Sequence, residues 1–265
     1  MRRDGGGLGA AAMIAALAAV SGTLALRAGP SRESLLPLLR VGQEHGGQAE
    51  RMLSALIPVD ADEERRIGEA MTRRLREAGA IADAGVESLG RRLERTGIPK
   101  RYAGRYAYFI LPSECAAAFA VPGGRVFLTK GMLARMGSDE RVSFILAHEM
   151  GHVELGHTAS LVRYRSLPAR WGVPGGGLLQ LLRSLAALSF SETQELDADA
   201  YALRLMEAGG FRRAAAFESL ARLSTLERRT AARRGPFSLL AEGLLDYGRT
   251  HPGMRERLQR LASVL

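Results

Sequence analysis

The chain has 265 residues, with 37 Lys and Arg against 28 Asp and Glu, a formal charge of +9. At 46% hydrophobic and 25% charged, the composition is that of a globular protein and excludes both a disordered chain and a polytopic membrane protein. A single cysteine, Cys115, excludes an intrachain disulfide framework and a cysteine-rich zinc ribbon.

Residues 1–28 read as an export signal or an N-terminal membrane anchor. Arg2 and Arg3 give a positive start, and the stretch from Gly5 to Leu26 carries no charge. Thr23-Leu-Ala25 offers a small-x-small site for cleavage, whereas a retained segment would tie the protein to the membrane through its N-terminus. Both readings export the rest of the chain, to the periplasm or to the outer face of the membrane. Ala28 to Gln48 is polar and Gly/Pro-punctuated, and residues 29–59 read as a linker or juxtamembrane stretch. The domain proper is expected over 60–265.

From Asp60 to Thr96 the spacing predicts helix, with Ile67, Met71, Leu75 and Ile81, then Val86, Leu89 and Leu93, on the apolar stripe. Tyr106 to Leu111 is aromatic and β-branched and ends at Pro112, which predicts a strand. Ala116–Val121 and Arg125–Lys130 flank Pro122-Gly123-Gly124, a hairpin whose turn needs a positive φ. Ser138 is placed to cap the next helix, which runs through His157. A further helix is expected from about Leu178 to Glu207, stopped by Gly209-Gly210. Val173–Phe190 reads as a buried or site-covering helix, with Gly175-Gly176-Gly177 as a joint before it.

The basic balance, with an isoelectric point near 10.5, does not require a nucleic-acid partner. Arginines alternate with acids, as in Asp60-Ala-Asp-Glu-Glu-Arg-Arg, and the densest run, Arg228 to Arg234, has no interleaved aromatics. A solvated basic surface is expected instead.

The chemistry lies in His148-Glu-Met-Gly-His152, an H-E-x-x-H motif. At about 100° per residue, four residues return His152 to within about 40° of His148, so both imidazoles face one ion. Glu149 falls between them, where it can hold a metal-bound water. His157 lies nine residues after His148, on the opposite face if the helix continues, and is expected to be structural. A third ligand must come from elsewhere. Glu195 and Asp199, four apart in Glu195-Leu-Asp-Ala-Asp199, share one helical face. One carboxylate can complete a His₂-carboxylate set, and the other can accept the free N–H of a ligating histidine. Glu192 and Asp197 point elsewhere and are expected at the surface.

Taken with Ala118-Phe-Ala-Val-Pro-Gly-Gly-Arg-Val-Phe-Leu-Thr-Lys-Gly131 and Thr250-His-Pro followed by Arg257, these segments resemble the M48 zinc metallopeptidases, among them the short exported bacterial and Oma1-like members. The resemblance covers about Asp60 to Leu265. It implies an α+β, mostly helical zincin-type fold with a small antiparallel sheet or hairpin and an active-site helix. It also implies one Zn2+ held by His148, His152 and Glu195, with Glu149 as general base and acid and Asp199 behind the ligands. The strand Phe119, Ala120, Val121 and Pro122 would dock an extended polypeptide. The family's usual Asn before Phe-Ala is Ala118 here. His251 and Arg257 are candidates for stabilising the oxyanion; their alternatives are packing beside Pro252 and an ion pair, respectively. The implied activity is peptide-bond hydrolysis of unfolded or misassembled proteins in the bacterial cell envelope.

Overall fold

The computed structural model describes residues 61–158, 190–224, 251 and 253–264. The N-terminal segment 1–28, the linker 29–59, the covering segment up to residue 189, the basic run 228–234, Thr250 and Pro252 lie outside the described residues. No helix among the described residues is long and apolar enough to cross a membrane.

The described elements are mostly helical. Helix α1 (Ala61–Glu77) leads to the two-residue strand β1 (Ile81–Ala82) and helix α2 (Ala84–Glu94). Strands β2 (Ala107–Leu111), β3 (Ala118–Val121) and β4 (Arg125–Thr129) follow, then α3 (Lys130–Met136) and α4 (Asp139–Glu154). Helices α5 (Glu192–Ala208), α6 (Ala214–Ser224) and α7 (Met254–Val264) complete the set.

The helical pattern expected across 60–96 is broken in two. Gly79 takes φ 97 after α1, and Asp83 caps α2 by accepting from the Val86 N–H at 3.0 Å. Ile81, counted on the helical stripe, is instead a strand residue paired with Ile110 and 58% exposed.

The sheet has the order β1-β2-β4-β3 and is mixed rather than antiparallel. The expected hairpin is present: β3 and β4 pair antiparallel, with Phe119 opposite Phe127, and Gly123 adopts φ 85 in the turn. The chain leaves β2, passes to the far edge as β3, and returns as β4 between the two. That order makes β2 and β4 parallel. Both faces are covered, so the strands read as continuous apolar runs. Phe119, Val121, Phe127 and Leu111 pack with Met71 and Leu75 of α1. Phe109, Phe127 and Phe119 stack across three strands at 5.0 and 5.3 Å, each contact contributing about 0.5–1.5 kcal/mol. Ala118, Ala120, Val126 and Leu128 face the other way and join the main core with Ile145, Ala147 and Met150 of α4.

Helix α4 is buried without interruption from Val142 to Val153. A helix apolar nearly all round belongs in the centre of a domain, and here it carries its polar motif into that centre. Ser138 occupies its N-cap position, but its side chain makes no capping hydrogen bond. The helix ends at Glu154, short of the expected His157, because Gly156 turns the chain at φ 78. Helix α5 begins at a capping box of Ser191 and Gln194. The helix expected to run unbroken from Leu178 is therefore interrupted at Ser191, whose ψ of 156 is extended. Gly151 lies against α5: a Cβ there would meet the Ala198 backbone at 3.1 Å. The two helices that carry the motifs approach closely because that side chain is missing.

Candidate metal centre

Four buried side chains offer ligand atoms within 4.8 Å of one another: His148, His152, Glu195 and His251. The Nε2 atoms of His148 and His152 are 3.1 Å apart. Glu195 sends Oε2 to within 3.4 Å of the first and Oε1 to within 3.4 Å of the second. The other ring nitrogens are taken. His148 Nδ1 lies 2.9 Å from Asp199 Oδ1, and His152 Nδ1 lies 3.0 Å from His157 Nδ1. Each ring thus turns Nε2 inward, as metal-ligating imidazoles do when a partner holds the second nitrogen.

His157 reaches that position because the helix stops. Its N–H donates to the His152 carbonyl at 2.9 Å, folding the ring back over the motif instead of onto the far face. Phe190, just before the cap of α5, stacks on His152 at 3.8 Å between ring centroids. Neither contact follows from helical periodicity. The only sequence signals were Gly156 and the position of Phe190 next to Ser191.

Arg257 is fully buried behind the cluster. It donates Nε to Asp199 Oδ2 at 2.7 Å and Nη2 to Asp199 Oδ1 at 2.8 Å. Its Nη1 is 2.7 Å from Glu195 Oε2. The fork is therefore engaged by two carboxylates, and the ion-pair alternative for Arg257 describes its surroundings. His251 faces the other way. Its Nδ1 is 2.9 Å from Glu195 Oε1 and 3.3 Å from His148 Nε2, and its Nε2 is 3.4 Å from Glu149 Oε1.

Charge and burial oppose one another throughout. Burial raises the carboxyl pKa of Glu149, only partly offset by His251 and His148. Burial also acts to raise that of Glu195, but His251 and Arg257 outweigh it and hold the group well below the usual range. Asp199 is likewise lowered, by Arg257 against desolvation. Desolvation takes His152 well below its ordinary value. Desolvation and Arg257 oppose charge on His148, yet hydrogen bonds to Asp199 and Glu195 lift it to about 9. Burial takes His157 down to about 4.

The donor set fits a divalent metal ion. Two imidazole Nε2 atoms face one another with a carboxylate between them, buried, and both oxygens of Glu149 beside them lack a hydrogen bond. Buried polar atoms left in that state are costly unless something completes them. Glu192 and Asp197, the acids expected at the surface, are exposed.

The strand Phe119–Val121 is at the sheet edge; β4 is its one strand partner among the described residues. Its side chains are buried on both faces, and the Pro122 carbonyl packs on Gly68 of α1, where a Cβ would come within 1.8 Å.

Residues 83–265 match the model of peptidase family M48. The chain is 25% identical over 209 residues to the beta-barrel assembly-enhancing protease of Yersinia pestis, covering 70% of this chain and 41% of that protein. It is 27% identical over 156 residues to the mitochondrial metalloendopeptidase OMA1 of Schizosaccharomyces pombe, covering 56% and 43%. It is 30% identical over 132 residues to the metalloprotease LoiP of Escherichia coli, covering 45% and 52%. The chain spans about half, or less, of the length of these relatives.

Proposed function

The chain belongs to peptidase family M48, and on that premise we propose that it is an exported zinc-dependent endopeptidase acting on unfolded or misassembled proteins of the bacterial cell envelope. The observation that carries the reading is the convergence of His148 Nε2, His152 Nε2 and the Glu195 carboxylate beside a buried Glu149 whose oxygens have no hydrogen bond.

In this reading His148, His152 and Glu195 hold one zinc ion. Zinc bound there would supply a Lewis acid that lowers the pKa of water to about 7 and polarises a peptide carbonyl. The rest is done by side chains. Glu149, its carboxyl pKa raised by burial, takes the proton of the attacking water and returns it to the leaving amine. Asp199 accepts from His148 Nδ1 and fixes which nitrogen faces inward. Arg257 positions Asp199 and Glu195 rather than meeting the oxyanion. His251 stands among the ligand atoms and against Glu149. A fourth protein ligand would close a tetrahedral site, and hydrolysis needs an open position. In this reading His251 is therefore assigned to the developing oxyanion, to which a ring N–H can donate, and not to the metal.

The substrate lies extended along the free edge of β3, Phe119 to Pro122, held by backbone hydrogen bonds that read no particular sequence. Such tolerance suits unfolded chains. The name of one relative, a beta-barrel assembly-enhancing protease, supports an envelope setting, as does the apolar N-terminus. Cleavage of casein, lost on chelation and restored by zinc, tests the proposal; undiminished cleavage by metal-free protein would overturn it.

A further inference from the structure

None of the metal-cluster residues lines the hollow of about 360 Å³ that lies at the end of β3. Its walls carry four arginines, Arg65, Arg101, Arg105 and Arg125, with Tyr102 and one carboxylate, Asp62. Gly123, which also lines it, directly follows Pro122 in the β3–β4 turn. Another lining residue is tied to the motif helix: the Arg101 backbone N–H donates to the carboxylate of Glu154, the last residue of α4, at 3.0 Å. The hollow therefore sits where both the edge strand and the active-site helix end.

Its charges do not balance. Glu64 is buried, with Oε1 on Arg101 at 2.6 Å and Oε2 accepting from the Tyr102 hydroxyl. Arg65 is held by Asp62 at 3.2 Å and Glu69 at 3.5 Å. Arg125 donates to the Gly123 carbonyl at 2.6 Å, and among the described residues its one counter-charge is the shared Glu69, at 3.5 Å. Arg105 is exposed and has no ion pair among the described residues. Among the described residues, four guanidinium groups thus meet three carboxylates, and the shortfall falls on Arg105 and Arg125. Burial lowers the Arg125 pKa despite Glu69, as for a cation short of negative charge. A planar guanidinium in that state is matched by a carboxylate, which it can bind at two points.

We propose that this hollow is a carboxylate-binding subsite for the polypeptide laid along β3, with the acidic group docked between Arg105 and Arg125 against Tyr102. The inference rests on the peptidase reading above and narrows its substrates to chains presenting a carboxylate, on a side chain or at the C-terminus, beyond the cleaved bond.

The test uses the full chain carrying Glu149→Gln, so that bound peptide is not cut, and reads binding by fluorescence anisotropy. Three peptides of one sequence are compared: internal Glu with an amidated end, internal Gln with a free C-terminus, and internal Gln with an amidated end. At least one carboxylate peptide binds ten-fold or more tighter than the neutral one, and which one identifies the source. Arg105→Gln with Arg125→Gln removes the difference while zinc content and the thermal midpoint stay unchanged. If that pair disturbs folding, Arg105→Glu at its exposed position must abolish the same preference. Equal binding of all three peptides, or a preference that survives these variants, overturns the proposal. So does Arg105-dependent binding of anionic phospholipid vesicles without peptide preference. Casein cleavage by the unmodified protein separates the two readings. Cleavage without acid preference removes the subsite alone; acid-selective binding without cleavage leaves the subsite and removes the peptidase.

Discussion

Arg257 grips Asp199 at two points, Nε to Oδ2 at 2.7 Å and Nη2 to Oδ1 at 2.8 Å, and neither residue is more than a few per cent exposed. The pair stands behind the metal cluster, because Asp199 also lies 2.9 Å from His148 Nδ1. Removing the arginine takes the two-point partner from buried Asp199, which among the described residues keeps only His148, and one cationic neighbour from Glu195. Arg257→Gln is expected to cost about 3–5 kcal/mol of stability. Arg257→Lys keeps the charge but loses the fork, and should recover only part of that. Urea unfolding with zinc bound measures both; an unchanged midpoint for Arg257→Gln would contradict the role given to the pair.

His157 is the second orienting contact. His157→Ala should weaken zinc binding by about 10–100-fold, because His152 Nδ1 loses its neighbour at 3.0 Å. His157→Asn, which restores an acceptor, should recover part of the loss. Competition with a chelator reads the affinity directly, without reference to cleavage. Equal affinity in all three proteins would make the contact incidental.

His157 also marks a boundary of what the sequence discloses. His148, Glu149 and His152 are legible because their geometry is set within one helical turn, and Glu195 and Asp199 because four residues again make one face. Helical periodicity extended past the end of α4 puts His157 on the opposite face. A single glycine, Gly156 at φ 78, reversed that placement. Ile81 failed in the same way: it kept the helical stripe although the chain had turned into a strand. The hairpin was visible in Pro122-Gly123-Gly124, but the parallel pairing of β2 with β4 was not. Local pattern carries no record of which strand the chain steps over. The grip of Arg257 on Asp199 spans 58 residues, and only folding brings the two together.

The alkaline limit of stability should come from buried tyrosines. Burial, aided by a hydrogen bond to Glu154 at 2.6 Å, pushes the Tyr106 phenol far above its ordinary value near 10. Above pH 10 the unfolded chain releases that proton and the native state does not. Stability contributed below pH 10 is therefore lost as pH rises further, by about 1.4 kcal/mol per pH unit for each such tyrosine. Tyr106→Phe should lower the slope between pH 10.5 and 11.5 by about that amount. Urea titrations across the interval check this, and an identical slope would show that Tyr106 ionises in the native state.

Gly68 holds α1 against the end of β3. A Cβ there would lie 1.8 Å from the Pro122 carbonyl oxygen, a clash that backbone must absorb. Gly68→Ala should therefore cost about 1–3 kcal/mol, although alanine is the better helix former. A gain in unfolding free energy would contradict the close approach of helix and strand.

In the proposed reading Glu149 works on a water held at the metal rather than holding the metal itself. Zinc content and casein cleavage, measured side by side for the natural chain and Glu149→Gln, test it most directly. One zinc per chain is expected in both proteins and cleavage only in the first. Full cleavage by Glu149→Gln, or loss of its zinc, would contradict it.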